Sequence, residues 1–188
     1  MFMENVANQN SLQKTLLDTL KHKFSTADTT SRENNFSLSN TLSKELVVVA
    51  FGTPLVAGDA FAPLVVDALR ETLKVPVFCY GTTENSVNGK NMEEWLDFLK
   101  VVHKNSLIIS IDASLGRDVG SVVVRKDGVC PAAVKGKKKR YGDIGILGIV
   151  AETDGDALAN LMSADYNFVQ NMALDTAKDI SAAIEELF

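Results

Sequence analysis

Histidine is almost missing from this chain: His22 and His103 are the only two in 188 residues. A serine or cysteine nucleophile needs a nearby base, and zinc sites draw on His/Cys sets at short spacing, so both chemistries lose their usual parts. Cysteine is equally scarce. Cys79 and Cys130 do not make a disulfide framework, and reduced thiols in a cytoplasmic protein are expected. No apolar run approaches the ~20 residues needed to cross a bilayer, and no basic segment followed by an apolar core opens the chain, so no membrane span and no secretory leader are expected. Basic excess is lacking too. A net charge of -5 and a pI near 5.1 argue against a general nucleic-acid binder. What remains is 46% hydrophobic and 23% charged, the composition of an ordinary globular domain long enough to bury a sizeable core.

Organisation follows from local pattern. Residues 1–11 are Asn-rich and polar, and residues 25–41 are rich in Ser, Thr and Asn. Between them Leu12, Leu16, Leu17, Leu20 and Phe24 recur at helical spacing. Residues 1–44 therefore read as an N-terminal helix on a flexible extension, packing onto the core or onto a second subunit, and 45–188 as the main domain. The latter alternates strand and helix. Apolar runs at 46–51, 75–80, 107–111 and 144–151 predict strands, and stripes at 64–74, 91–103, 154–162 and 165–187 predict helices. Asp165 is a plausible N-cap. Residues 121–125 and 129–130 flank Asp127-Gly128, a hairpin signal, with a Pro/Gly/Lys-rich loop at 131–142. Alternation of this kind predicts an α/β fold: a three-layer α/β/α domain on a mostly parallel sheet.

The chemistry that is present is carboxylate chemistry. Asp59 closes the loop Gly52-Thr53-Pro54-Leu55-Val56-Ala57-Gly58 after the first strand, and Asp112 follows Leu107–Ile111 at once. Carboxyl ends of parallel strands line one edge, where ligands bind, so neighbouring strands would aim both carboxylates into one cleft. A bland reading exists for each: Asp59 as a helix N-cap, Asp112 as an Asx turn to the Ser114 or Leu115 amide. Asp112 directly after aliphatic residues favours the functional reading. Asp143 opens the fourth strand and is the other carboxylate expected near the cleft. Gly52, Thr53, Gly58, Ser114 and Gly116 are expected to line it, with backbone of 52–58 and 113–116 as oxyanion donors. The run Lys135-Gly136-Lys137-Lys138-Lys139-Arg140 reads as a solvated loop or as a grip on an acidic or phosphorylated ligand.

The segments GDAFAPLVVDAL, VFCYGTTENSVN, IISIDASLG and YGDIGILGIVA, in that order, resemble the YyaC-type family of sporulation proteins over roughly residues 45–185. That family is similar to the germination protease, which cleaves small acid-soluble spore proteins, and more distantly to the hydrogenase maturation endopeptidases. The resemblance implies a phosphorylase/hydrolase-like fold and an endopeptidase acting in sporulation or germination, with Asp59 and Asp112 as its acidic pair and a protein or peptide as substrate. In the hydrogenase endopeptidases the matching positions hold the nickel of their substrate together with a histidine; here no histidine stands there, and neither a metal nor another cofactor is expected. The family's Leu-Gly-Pro after the first aspartate is Phe61-Ala62-Pro63 here. A non-catalytic peptide- or metal-binding protein on the same fold, in homo-oligomeric form or not, is the alternative these features leave.

Overall fold

A computed structural model describes residues 5–31, 45–131 and 139–188. Its most deeply buried strand is β1 (Leu46–Ala50), whose five residues are all buried. Full burial of valine- and leucine-sized side chains stabilises by roughly 1.5–3 kcal/mol each, which explains why this run carries no polar residue. β1 pairs in parallel with β2 (Phe78–Tyr80) on one side and β3 (Leu107–Leu115) on the other. β3 pairs in parallel with β5 (Ile144–Ala151), and β4 (Val122–Arg125) lies antiparallel on β5. The order among the described residues is β2-β1-β3-β5-β4.

Helices cover both faces, as the three-layer expectation requires. α1 (Asn5–Ser31), α2 (Phe61–Asp67) and α5 (Tyr166–Glu185) share one core with Val48, Ala50, Ile109, Ile111, Ile144 and Ile146. α3 (Met92–Val102) buries Met92, Leu96 and Leu99 against Val47, Val49 and Phe51 on the opposite face. α4 (Ala157–Ser163) packs beside the Gly58–Ala60 turn. Asp165 does cap α5, accepting the Phe168 amide at 2.9 Å, and Asp156 caps α4 in the same way. α2 runs on as a π-helical turn over Ala68–Thr72.

Several local expectations change. α1 continues to Ser31, beyond the stripe that ends at Phe24; Thr19 and Ser25 turn their hydroxyls back to carbonyls four residues earlier, so these polar residues stay in helix. Leu16, Leu17 and Leu20 join the main core. The remainder of the polar stretch, 32–41, lies outside the described residues. The Asp127-Gly128 hairpin does not form. After that turn Val129 pairs with Tyr141, not with β4, and β4 takes β5 as its partner. The cause is Ser110, fully buried on β3: its hydroxyl accepts the Val129 amide at 3.1 Å and lies 2.7 Å from the Tyr141 carbonyl, drawing both segments under the sheet. The glycines of β5 mark close approach: a Cβ on Gly145 would meet the Gly128 backbone, and one on Gly148 the Phe61 ring.

Asp179, on α5 beside α1 and β4, gives the fold a pH dependence. Burial first and the Asp175 charge second push its carboxyl up to about 6, with Lys178 opposing. A folded-state pKa above the unfolded one adds stability that is complete below about pH 4 and is lost as pH rises through 6. Asp179→Asn is therefore expected to raise the unfolding temperature at pH 7 and to match the wild type below pH 4 in thermal melts.

Candidate active site

β1 is the point at which the chain reverses its direction of travel across the sheet. From β1 the chain passes through α2 to β2 on one side, then through α3 to β3 on the other, and the two helices lie on opposite faces. Such a switch point leaves a crevice beyond the carboxyl ends of the adjacent strands β1 and β3. Asp59 reaches it from the loop after β1, and Asp112 from β3.

Asp112 is not beyond its strand, as its position after the aliphatic run suggests, but within it: β3 continues to Leu115 because β5 is long enough to pair with it up to that residue. β1 stops earlier. Its last link is the Phe51 amide to the Ile111 carbonyl at 2.8 Å, so Asp112 begins the part of β3 that overhangs β1. Neither bland reading describes the pair. Asp59 caps no helix; its Oδ2 accepts the Thr53 amide at 2.9 Å, folding the loop back on itself. For Asp112, the backbone group that bears on its carboxyl is the Ala113 amide, not that of Ser114 or Leu115. Its carboxyl lies well above the usual carboxylate range, from burial first and from the charge of Asp59 second, with the Ala113 amide opposing. The two carboxyls therefore share one electrostatic site.

The loops around them are held by the protein's own hydrogen bonds. Gly52 sits at φ +144°, where a Cβ would fall 2.2 Å from the Asp59 carbonyl, and its amide goes to the Val87 carbonyl at 2.9 Å. Gly58 lies under Leu161 of α4. The Val56 amide bonds Thr53, and that of Gly116 bonds Ala151. Gly52, Thr53, Val56 and Gly116 thus have no amide to offer a substrate, which corrects the expectation of oxyanion donors at those positions. Ser114 stands two residues past Asp112, on the same face of β3 by strand alternation, next to a bulge at Ser114/Leu115. Asp143 is elsewhere. Its Oδ2 accepts the Ile108 amide at 2.9 Å and its own amide bonds the Ile108 carbonyl at 2.8 Å. Ile108 precedes Asp112 by four strand residues, about 13 Å. Asp143 ties β5 to the start of β3 and is no wall of the crevice.

The third wall escaped the sequence reading. Residues 81–91 follow β2, and Val87 bridges to Phe51. Asp67, at the end of α2, pins this loop by accepting the Thr83 amide at 3.1 Å and the Thr83 hydroxyl at 2.6 Å. Paired threonines after a strand, with an aspartate closing the preceding helix, were the available signal.

A metal does not fit the donor set. His103 lies buried between Glu45 Oε2 and the Tyr80 hydroxyl, at 2.6 and 2.7 Å, near the start of β1, and His22 is on α1. No group of three or more His, Cys, Asp or Glu side chains among the described residues could hold an ion.

Residues 7–186 match the family model described as "Protein of unknown function (DUF1256)". The chain belongs to that family. It is 33% identical over 148 residues to the uncharacterized protein YyaC of Bacillus subtilis, covering 77% of this chain and 72% of that protein. Membership accords with the resemblance carried by the four ordered segments. Among solved structures, a NiFe hydrogenase maturation protease, HycI, from Thermococcus kodakarensis aligns over 76% of this chain and 93% of its own with a TM-score of 0.49 and 17% identity. No helix among the described residues is long and apolar enough to cross a membrane.

Proposed function

We propose that this family member is an aspartate-dependent endopeptidase of the sporulating cell, acting on a spore protein or peptide that enters the crevice between β1 and β3. The observation that carries the reading is the unequal pair: Asp112, pushed up by burial and by Asp59, is the partner that keeps the proton more readily. Asp59, oriented through the Thr53 amide, is the carboxylate. Asp59 takes a proton from water as the water oxygen bonds to the scissile carbonyl carbon, while Asp112 gives its proton to the carbonyl oxygen. Collapse breaks the C–N bond. The amine leaves with the proton held by Asp59, and the proton on the former carbonyl oxygen returns to Asp112. With the Gly52, Thr53, Val56 and Gly116 amides engaged, the Asp112 proton takes the role of an oxyanion donor.

Purified small acid-soluble spore proteins are the first substrates to try, with cleavage followed by mass spectrometry. Wild type is expected to cut, and Asp59→Asn and Asp112→Asn are each expected to lose at least about a hundredfold in rate. Equal cleavage by all three would remove the pair from the mechanism. Binding of the spore proteins without cleavage would instead favour a peptide-binding protein on the same fold, a reading supported by Ala62 where the family carries glycine.

A further inference from the structure

Arg140, at the described end of the lysine-rich run singled out in the sequence, lines a cavity separate from the aspartate pair. This cavity of about 370 Å³ lies on the α3 face of the sheet, between α3 and residues 140–143. Its interior is apolar and aromatic: Val49 from β1, Phe51 just after it, Leu96 and Leu99 from α3, and Tyr141. The Phe51 and Tyr141 rings stand 6.2 Å apart, tilted by 42°. Its rim is cationic. Lys100, Lys104 and Arg140 line it, against a single carboxylate, Asp143, whose Oδ2 is already occupied by the Ile108 amide.

The pairing of those cations decides which are available. Lys100 bonds Asp97 at 2.7 Å, but both side chains are more than half exposed, and such a pair is worth little. Arg140 reaches Asp127 at 3.1 Å and the Gly128 carbonyl. Lys104 has no ion pair among the described residues. Lys139 places its ammonium 5.6 Å from the Tyr141 ring centroid, adding positive charge beside the same opening. An apolar pocket of small-molecule size with a few polar groups converging at its mouth is the usual form of a ligand site. Here cations outnumber the one lining carboxylate, whose Oδ2 is engaged, so the complementary ligand has a flat or apolar body and an anionic head.

We propose that this cavity binds a nucleoside monophosphate, the base against Tyr141 and the α3 leucines and the phosphate at Lys100 and Lys104. The site is distinct from the crevice of Asp59 and Asp112 and stands whether or not the chain is a peptidase. Isothermal titration of the full-length chain with AMP, adenosine and inorganic phosphate tests it. AMP is expected to bind at least about tenfold more tightly than either fragment, because only AMP uses both the apolar interior and the charged rim. Lys104→Glu, and separately the double change Lys100→Ala with Lys104→Ala, are expected to weaken AMP about tenfold or more while an Asp59→Asn chain binds as wild type. These lysines are exposed, and an unchanged unfolding temperature will show that the variants are folded. No AMP heat, AMP binding no tighter than that of adenosine or phosphate, or equal AMP affinity in both lysine variants would each overturn the proposal.

Discussion

Gly148→Ala is expected to lower the unfolding free energy by about 3 kcal/mol or more, an effect larger than most core substitutions produce. The added Cβ would lie 2.4 Å from Phe61 Cε1 and 2.5 Å from Cζ, well inside contact distance. Phe61 has nowhere to go. It is fully buried at the head of α2, with Ala60 and Ala62 buried on either side of it. For a chain of this length about 3 kcal/mol corresponds to roughly 6–12 °C in unfolding temperature. Trimming the ring should return part of the loss: Gly148→Ala with Phe61→Leu is expected to be less destabilised than the sum of the single changes, because the two share one contact. Additive losses in chemical denaturation would show that the clash is relieved by other means. Phe61 directly follows the Gly58–Ala60 turn that carries Asp59, so the single variant should also disturb the crevice.

Asp112→Asn is expected to separate stability from activity. The Asp112 carboxyl is raised well above its ordinary range in the fold, so its ionised form is the one the folded state disfavours. An acid raised on folding contributes stability that is complete below its unfolded pKa, about 3.9, and that is lost as pH rises through the folded value. Above that unfolded value the unfolded chain ionises while the folded Asp112 is held back from doing so, and at pH 7 the wild type carries this cost. Asparagine keeps the shape and has no proton that the unfolded chain would release, so it removes that cost. The variant should therefore be more stable than wild type at pH 7, by on the order of 1 kcal/mol, and lose the advantage as pH is lowered towards 3. In the peptidase reading the same change removes the proton donor and abolishes turnover. Functional groups held at a cost to the fold commonly behave this way. An unfolding temperature at pH 7 that falls on Asp112→Asn would mean the carboxylate is stabilised in place, and the acid role would go with it.

Much of the domain was legible because its signals are local. A run such as Leu46–Phe51 has no polar residue to turn toward water, so it can only be a strand covered on both faces. The stripe Met92, Leu96, Leu99 shows which side of α3 meets the sheet. What failed depended on partners distant in sequence. The Asp127-Gly128 turn was readable, but its strand partner was decided by the Ser110 hydroxyl. Asp143 has the same local look as Asp112, a carboxylate beside an aliphatic strand. Asp143, however, precedes its strand and Asp112 lies beyond the aliphatic run, and in a parallel sheet those ends face opposite directions.

By itself the amino-acid sequence determined the alternating α/β pattern, the buried strands and the identity of two acidic residues near strand ends, since periodicity and burial preference are properties of neighbouring residues. Only the tertiary structure decided that β1 and β3 are adjacent, that the chain reverses between them, and that Asp59 comes near enough to Asp112 to shift its proton affinity. Strand order is set by which hydrophobic faces fit together across the whole sheet. Electrostatic coupling, in turn, depends on distance through space, which spacing along the chain does not record.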